Sequence, residues 1–246
     1  MFIHYRTNGV MIKKKDLGEA DQLFTIYTKD FGKLEILGKA IRKITSKLRS
    51  GADIFYLSDI EFIQGKTHKT LTDAVLIEKF ENVRKDLGKL KITYKIADIF
   101  NGLVKGQEKD ETLWNLLKET FQRLNTCSLS TVNCSLIYYY FLWNLVSLLG
   151  YAPDFYNCAI CQKRLIPENL YFNPKEGGVI CSLCFKKIKR GKKIDLDTIK
   201  ILRILLKGDW QTLKRLKIAP DDLQELKIIS NYFLFYIKKE VIGACE

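Results

Sequence analysis

Apolar positions recur with two different periods along this chain. Up to about residue 80 they alternate with polar ones, as on a strand buried on one face. Val10 and Ile12 stand among polar neighbours, and Gly18 and Asp21 then interrupt the pattern. Leu23–Thr28 is rich in β-branched and aromatic residues, Asp30-Phe31-Gly32-Lys33 is a hairpin turn signal, and Leu34 and Ile36 flank Glu35. Further on, Ile54–Ile63 and Thr70–Ile77 form a second extended pair around a turn at Gly65-Lys66-Thr67. About five strands in roughly 75 residues, mostly antiparallel, predict a small barrel that closes its own edges; the five-stranded oligonucleotide-binding (OB) barrel fits this count, with a five-stranded SH3-like barrel as the runner-up.

Beyond Glu81 the period becomes helical. Leu87, Leu90, Tyr94, Ala97 and Ile99 predict one helix, broken near Gly102–Gly106, and Leu113, Leu116, Leu117, Thr120, Phe121 and Leu124 predict another. Thr131–Leu149 reads as a third, apolar almost all round and stopped at Gly150. Four consecutive residues on a helix face four directions, so Tyr138-Tyr139-Tyr140-Phe141 is expected to pack in a core rather than form a stacking platform. Asp195 or Asp197 can cap the next helix, and a last one is expected from about Asp221 to Ile242. The expected organisation is α+β and multidomain. Residues 1–80 form an OB-type nucleic-acid-binding domain, and residues 81–246 an all-α domain that carries an insert at about 155–190.

The insert is marked by Cys158, Cys161, Cys181 and Cys184, a C-x2-C pair followed after nineteen residues by a second. Two knuckles of this kind can close four soft thiolates around one tetrahedral Zn2+ and leave no open coordination position for an activated water. A disulfide across two intervening residues would close a small, strained loop. A redox C-x-x-C needs only one pair. Pro167, Pro174, Gly177 and Gly178 lie between the knuckles, so the metal is expected to be structural, its binding energy serving as folding energy.

Charge changes the picture from fold to partner. The 246 residues carry a net charge of +13. By segment the balance is +4 over residues 1–80, +1 over 81–157, +10 over 158–217 and −2 over 218–246. A clustered excess of this kind points to a polyanion, and nucleic acid is the expected one. The candidate contacts on the barrel are Lys13, Lys15, Lys39, Arg42, Lys43, Lys47 and Arg49, beside Arg6 and Lys14. Lys13–Lys15 alternate across a strand end, so not all three can face one ligand. A possible second patch, read either as a DNA site or as a solvated loop, is Lys186, Lys187, Lys189, Arg190, Lys192 and Lys193. Tyr27 and Phe31 are candidate stacking residues, with a core role at least as compatible with their pattern.

Motifs for catalysis are missing from the sequence. GKLEILGK at Gly32–Lys39 has one residue too many between its glycines for a phosphate loop, and Ala40 replaces the hydroxyl residue that would hold Mg2+. With two histidines and no paired carboxylates in view, no enzyme is expected. MFIHYRTNGV lacks an apolar core behind a charged start, so no secretory leader is expected. The longest apolar stretch, Leu136–Leu149, is too short to span a bilayer. Cysteine usage suits a reducing cytoplasm.

Two stretches carry a family resemblance. TNGVMIKKKDLGEADQLFTIYTKDFGKLEILGKAIRK, and LLGYAPDFYNCAICQK followed by CSLC, resemble the bacterial recombination mediator RecO over essentially the whole length. The resemblance implies an OB barrel, a helical bundle and a zinc insert held by Cys158, Cys161, Cys181 and Cys184, and it places the family's basic segment on Lys39, Arg42, Lys43, Lys47 and Arg49. It also implies a non-enzymatic role at the nucleoid: binding single- and double-stranded DNA, annealing complementary strands, and contacting the acidic tail of single-strand-binding protein. With RecR such proteins help to load RecA. A zinc-ribbon transcription or translation factor that binds duplex DNA or RNA is the rival reading.

Overall fold

The computed structural model describes residues 3–65, 67–127 and 133–243. Five strands form a closed barrel: β1 (His4–Leu17), β2 (Asp21–Thr28), β3 (Gly32–Gly38), β4 (Leu57–Gln64) and β5 (Lys69–Glu78). Their order is β1-β2-β3-β5-β4, and β4 pairs back onto β1. All pairings are antiparallel except a short parallel one between β3 and β5, through Ile36–Lys69 and Leu37–Thr70. This is the OB arrangement, so the SH3-like alternative falls away. In β3 the alternation does what the sequence pattern requires, but in β1 it does not: Met11, between Val10 and Ile12, enters the interior, and all three are buried. Met11, Phe24, Ile26, Leu34, Ile36, Ile60, Phe62 and Leu71 fill the interior. Gly32 turns β2 into β3 with φ +60°, and a Cβ there would stand 2.4 Å from the Glu108 carbonyl oxygen, so both backbone angle and close approach demand glycine.

Ile54–Tyr56, expected to begin the fourth strand, does not join it. Phe55 adopts φ 63°, and its ring is fully buried, edge-on to Tyr94 and Phe121. Those two rings lie on α2 (Leu87–Leu103) and α3 (Glu111–Thr126), which follow the short α1 (Glu81–Arg84). Asp86 and Asp110 cap α2 and α3, each carboxylate accepting two backbone N–H bonds. Phe80 meets Phe121, and Tyr27 meets Phe100, both edge-to-face. By compactness, therefore, α1–α3 belong with the barrel. The chain divides into units of residues 1–129 and 130–246, whereas the change of period comes at about residue 80.

The second unit holds α4 (Asn133–Leu148), β6 (Leu170–Asn173), β7 (Gly178–Ile180), α5 (Ser182–Ile188), β8 (Lys192–Ile194), α6 (Leu196–Leu206), α7 (Trp210–Arg215) and α8 (Pro220–Gly243). The Thr131 start expected for α4 falls outside the described residues, as does Lys66 in the β4–β5 turn. Around α4 the core is aromatic, as its nearly unbroken apolar run requires. Trp143 is fully buried, stacks on Phe233 at 4.9 Å, and donates its Nε1–H to Ser230 Oγ at 3.0 Å. The insert is not merely turns: β7, β6 and β8 form a three-stranded antiparallel sheet in that order. Asp195 stands at the N-cap of α6 without a side-chain cap bond, and Asp197 lies in its first turn.

Candidate metal centre and nucleic-acid surface

The first knuckle is set by backbone bonds. Asp154 Oδ1 accepts the N–H groups of Tyr156 and Asn157 at 2.6 and 3.0 Å, Cys158 donates to the Lys163 carbonyl at 2.8 Å, and Gln162 takes the left-handed conformation that reverses the chain. The Arg203 guanidinium anchors this turn to α6, donating twice to the Phe155 carbonyl and lying 4.5 Å from the Tyr156 ring centroid. Cys181, at the N-cap of α5, and Cys184 supply the second knuckle.

All four thiols are free, and their sulfurs lie within 4.8 Å of one another; Cys161 and Cys181 are 3.9 Å apart. Bond lengths of about 2.3 Å in a tetrahedral thiolate site place sulfurs about 3.8 Å apart, so the set fits one ion and none of the pairs is a disulfide. Cys158 and Cys184 are buried, while Cys161 is exposed. Burial opposes ionisation of Cys158, yet N–H groups of Cys161, Cys181 and Ile160 outweigh it and draw the thiol down to about 6. Burial, reinforced by the other three thiols, pushes Cys184 up to about 12. A bound cation would stabilise the thiolate form of all four. Around the cluster, Ile180, Leu165, Tyr171, Phe185 and Ile188 form a small apolar shell. Successive β6 side chains link this shell to the helices: Tyr171 stacks on Phe185, and Phe172 turns the other way into the Trp143–Phe233 core.

On the barrel the basic candidates converge only in part. The Gly18-Glu19-Ala20-Asp21 turn holds the segment after β3 in place. Asp21 Oδ1 accepts the Ala40 N–H at 2.7 Å, and the Ala20 carbonyl accepts the Arg42 N–H at 3.0 Å. Arg42 and Arg49 then line a cleft of about 300 Å3 together with Lys14, Gln22, Ile41, Ala52 and Asp53. Lys39, Lys43 and Lys47 are exposed on the same segment. A bulge between Met11 and Lys13 sets Lys14 opposite the core residue Phe24, and Lys13 and Lys15 opposite Thr25 and Leu23. Lys14 therefore shares a side with the cleft, while Lys13 and Lys15 take the other side of β1.

Asp53 is the group that sequence reasoning missed. Its carboxylate accepts Lys14 Nζ at 2.5 Å, Arg84 Nη2 at 2.7 Å and the Ile54 N–H at 2.8 Å. Burial alone would raise its pKa, but these bonds prevail and hold it below the ordinary aspartate range. Arg6 is likewise engaged, bonding Asp59 at 2.7 and 2.9 Å. Tyr27 is core rather than a stacking residue: it is 1% exposed, and burial, with Asp110 nearby, pushes its hydroxyl up to about 12.

The second basic run is a loop only at its middle, Lys189–Gly191. Lys186 and Lys187 lie on α5, Lys189 ends that helix in the left-handed conformation, and Lys192 and Lys193 lie on β8. All six cations, Arg190 included, are exposed, and among the described residues none pairs with a carboxylate. Lys192 Nζ sits 5.3 Å from the Tyr232 ring centroid.

An OB barrel with a cationic cleft, joined to a helical unit bearing a four-cysteine metal-ligand cluster, defines the class of this protein. Residues 1–80 match the family model described as Recombination protein O N terminal, and residues 84–237 match Recombination protein O C terminal. The chain belongs to the RecO family. Over 237 residues it is 31% identical to the DNA repair protein RecO of Thermoanaerobacter sp. (strain X514), covering 96% of this chain and 93% of that protein. Its likeness to the protein of the same name from Dehalococcoides mccartyi (strain ATCC BAA-2266 / KCTC 15142 / 195) is 28% over 237 residues, covering 96% and 92%. For Moorella thermoacetica (strain ATCC 39073 / JCM 9320) it is 31% over 233 residues, covering 94% and 85%. No helix among the described residues is long and apolar enough to cross a membrane.

Proposed function

We propose that this protein is a non-catalytic mediator of DNA repair and recombination. It binds single- and double-stranded DNA, anneals complementary strands and helps to load RecA recombinase onto strands coated with single-strand-binding protein. Its partners in this reading are RecR and the acidic tail of single-strand-binding protein, and its place is the bacterial cytoplasm, at the nucleoid. The observation that carries the proposal is the docking of a cationic segment, Lys39–Arg49, onto the β1–β2 turn of an OB barrel.

The mechanism is electrostatic. Lys39, Arg42, Lys43, Lys47 and Arg49 neutralise phosphates on one side of β1, and Lys13 and Lys15 extend the positive surface on the other. None of these groups reads a base edge, so affinity falls with salt and ignores sequence, as a factor acting anywhere on a strand requires. Lys186, Lys187, Lys189, Arg190, Lys192 and Lys193 give the second unit its own phosphate-binding face. Holding two strands on positive surfaces lowers their mutual repulsion and so promotes pairing. Cys158, Cys161, Cys181 and Cys184 hold one structural Zn2+, which supplies no reactive position and keeps the two knuckles together.

The test is annealing of two complementary oligonucleotides coated with single-strand-binding protein, without nucleotide, over a salt series. Annealing should fade as salt rises. Lys39→Ala, Arg42→Ala and Lys43→Ala combined should flatten the slope of log affinity against log salt by about 2, since each single-strand phosphate contact contributes about 0.7. Unchanged annealing by that variant would sink the role given to the barrel. Duplex or RNA binding without any annealing would favour the transcription-factor reading.

A further inference from the structure

The barrel has a second opening, at the end opposite the β1–β2 turn. Tyr5 near the start of β1, Phe31 in the β2–β3 turn and Phe62 near the end of β4 form a three-ring cluster. Tyr5 stacks on Phe62 at 5.3 Å, and Phe31 meets both edge-on, at 5.6 and 5.7 Å. Together with Leu34 they line a pocket of about 220 Å3 whose rim is Gln64, Lys69 and Gln107. Phe62 and Leu34 are buried and make the floor, whereas Tyr5 and Phe31 are half-buried and present ring surface to solvent. Phe62 belongs to the barrel interior and Tyr5 and Phe31 pack against it, but the ring surface that these two leave in solvent is a hydration cost that the interior packing does not recover.

The same three rim residues also border a larger cleft of about 440 Å3, which extends to Thr25 on β2, Lys33 and Glu35 on β3, and His68. Thr25 pairs with Glu35 on one side and with Lys13 on the other. Lys13, Thr25 and Glu35 are thus cross-strand neighbours on β1, β2 and β3, and Thr25 and Glu35 border the cleft that reaches the pocket rim. Lys69 Nζ lies at the junction, bonded to Gln107 Oε1 at 3.3 Å, and that long bond is one a phosphate oxygen can replace.

We propose that the Tyr5–Phe31–Phe62 pocket takes one base of a single-stranded nucleic acid, with Lys69 at the adjoining phosphate and the Gln64 and Gln107 amides at the base edge. The inference rests on the nucleic-acid reading above. It adds a sequence-tolerant stacking site at the other end of the barrel from the cationic cleft. An aromatic floor accepts any base, because every base has a π-face, and a paired base cannot enter. The pocket therefore makes the barrel prefer single strands over duplex, which phosphate contacts alone do not.

The test compares two oligonucleotides of equal length and phosphate number, oligo-thymidine and an abasic strand, in equilibrium binding to the full chain. The parent protein should prefer the base-bearing strand by about tenfold, the usual worth of a stacked base. Tyr5→Leu combined with Phe31→Leu keeps apolar volume and removes the ring faces; it should shrink that preference severalfold and leave the salt slope unchanged. A strand carrying 5-iodouracil should photocrosslink to Tyr5 or Phe31. An unchanged preference in the double variant, or crosslinks confined to the cationic cleft, overturns the inference while leaving the proposed function standing, and assigns the pocket to another occupant such as a partner's aromatic side chain. Failure of the parent to bind either strand overturns both.

Discussion

The two units hold their cores by different means. In the first, strand pairing closes on itself, so backbone hydrogen bonds around the barrel are satisfied without an outside partner and the interior is filled by eleven buried residues from Met11 to Ala74. In the second, a helical core built on Trp143 is similarly self-sufficient, but the knuckles are not. Their buried cluster comprises only Cys158, Ile180 and Cys184 with a partly buried shell, and two of those three are thiols aimed at one point. A core that small cannot offset the backbone entropy of ordering the insert. The difference teaches where each unit is vulnerable: the barrel to changes in packing, the insert to loss of a ligand.

Metal removal should show the largest effect. Chelation, or Cys158→Ser, should unfold the knuckles and loosen the helical core that Phe155 and Phe172 enter, while leaving the barrel cooperative, because apparent binding energies of structural zinc sites reach about 10 kcal/mol and more. Limited proteolysis should then cut within residues 156–190, and one zinc per chain should be released. A knuckle that stays protected after full chelation would break the contrast drawn here. Next in size is Trp143→Ala in α4. It removes a fully buried indole and leaves Ser230 without its donor, so the second unit should lose about 3–5 kcal/mol of stability by denaturant titration. The barrel transition should stay where it was.

Legibility in the sequence followed the same division. Strands buried on one face announce themselves by alternation, and β3 was readable from Leu34 and Ile36 for that reason; β1 and β2 are buried on both faces over Gly9–Ile12 and Phe24–Thr28 and were marked by apolar, β-branched and aromatic content instead. The parallel β3–β5 pair that closes the barrel joins Ile36 to Lys69, and no local pattern encodes a pairing across that separation. Ile54–Tyr56 misled because Phe55 is apolar for the sake of Tyr94 and Phe121, not of a strand. Strands as short as β7 and β8 show too few residues for any period, so the sheet that β6 and β7, between the two cysteine pairs, form with β8, beyond Cys184, was hidden. The four cysteines were legible as a candidate ligand set, since the C-x2-C spacing marks each knuckle, and the fold brings their sulfurs within 4.8 Å of one another. The proposed phosphate surface was legible as a composition but not as a face, because the bulge at Met11–Lys13 decides which lysine of Lys13–Lys15 looks into the cleft.

The smallest effect concerns the group that composition could not flag. Asp53 binds Lys14 and Arg84 at the edge of the cationic cleft, so it stabilises the first unit and, if the cleft takes phosphate as proposed, competes for Lys14. Its folded-state pKa is depressed, which fixes the sign: the unfolded chain takes up a proton first as pH falls. The contribution is therefore fully present above the unfolded aspartate value, near 4, and is lost as pH drops through the lower folded value. Asp53→Asn should cost the first unit about 1–2 kcal/mol at neutral pH, modest because the carboxylate is partly exposed and solvent screens the pair. The gap from the parent should narrow in thermal melts taken below about pH 4. DNA affinity of the same variant should rise at low salt, since Lys14 is freed and one negative charge leaves the cleft. A variant that is less stable yet binds DNA no better would show that Asp53 serves packing alone, and that Lys14 belongs to the fold rather than to the phosphate surface.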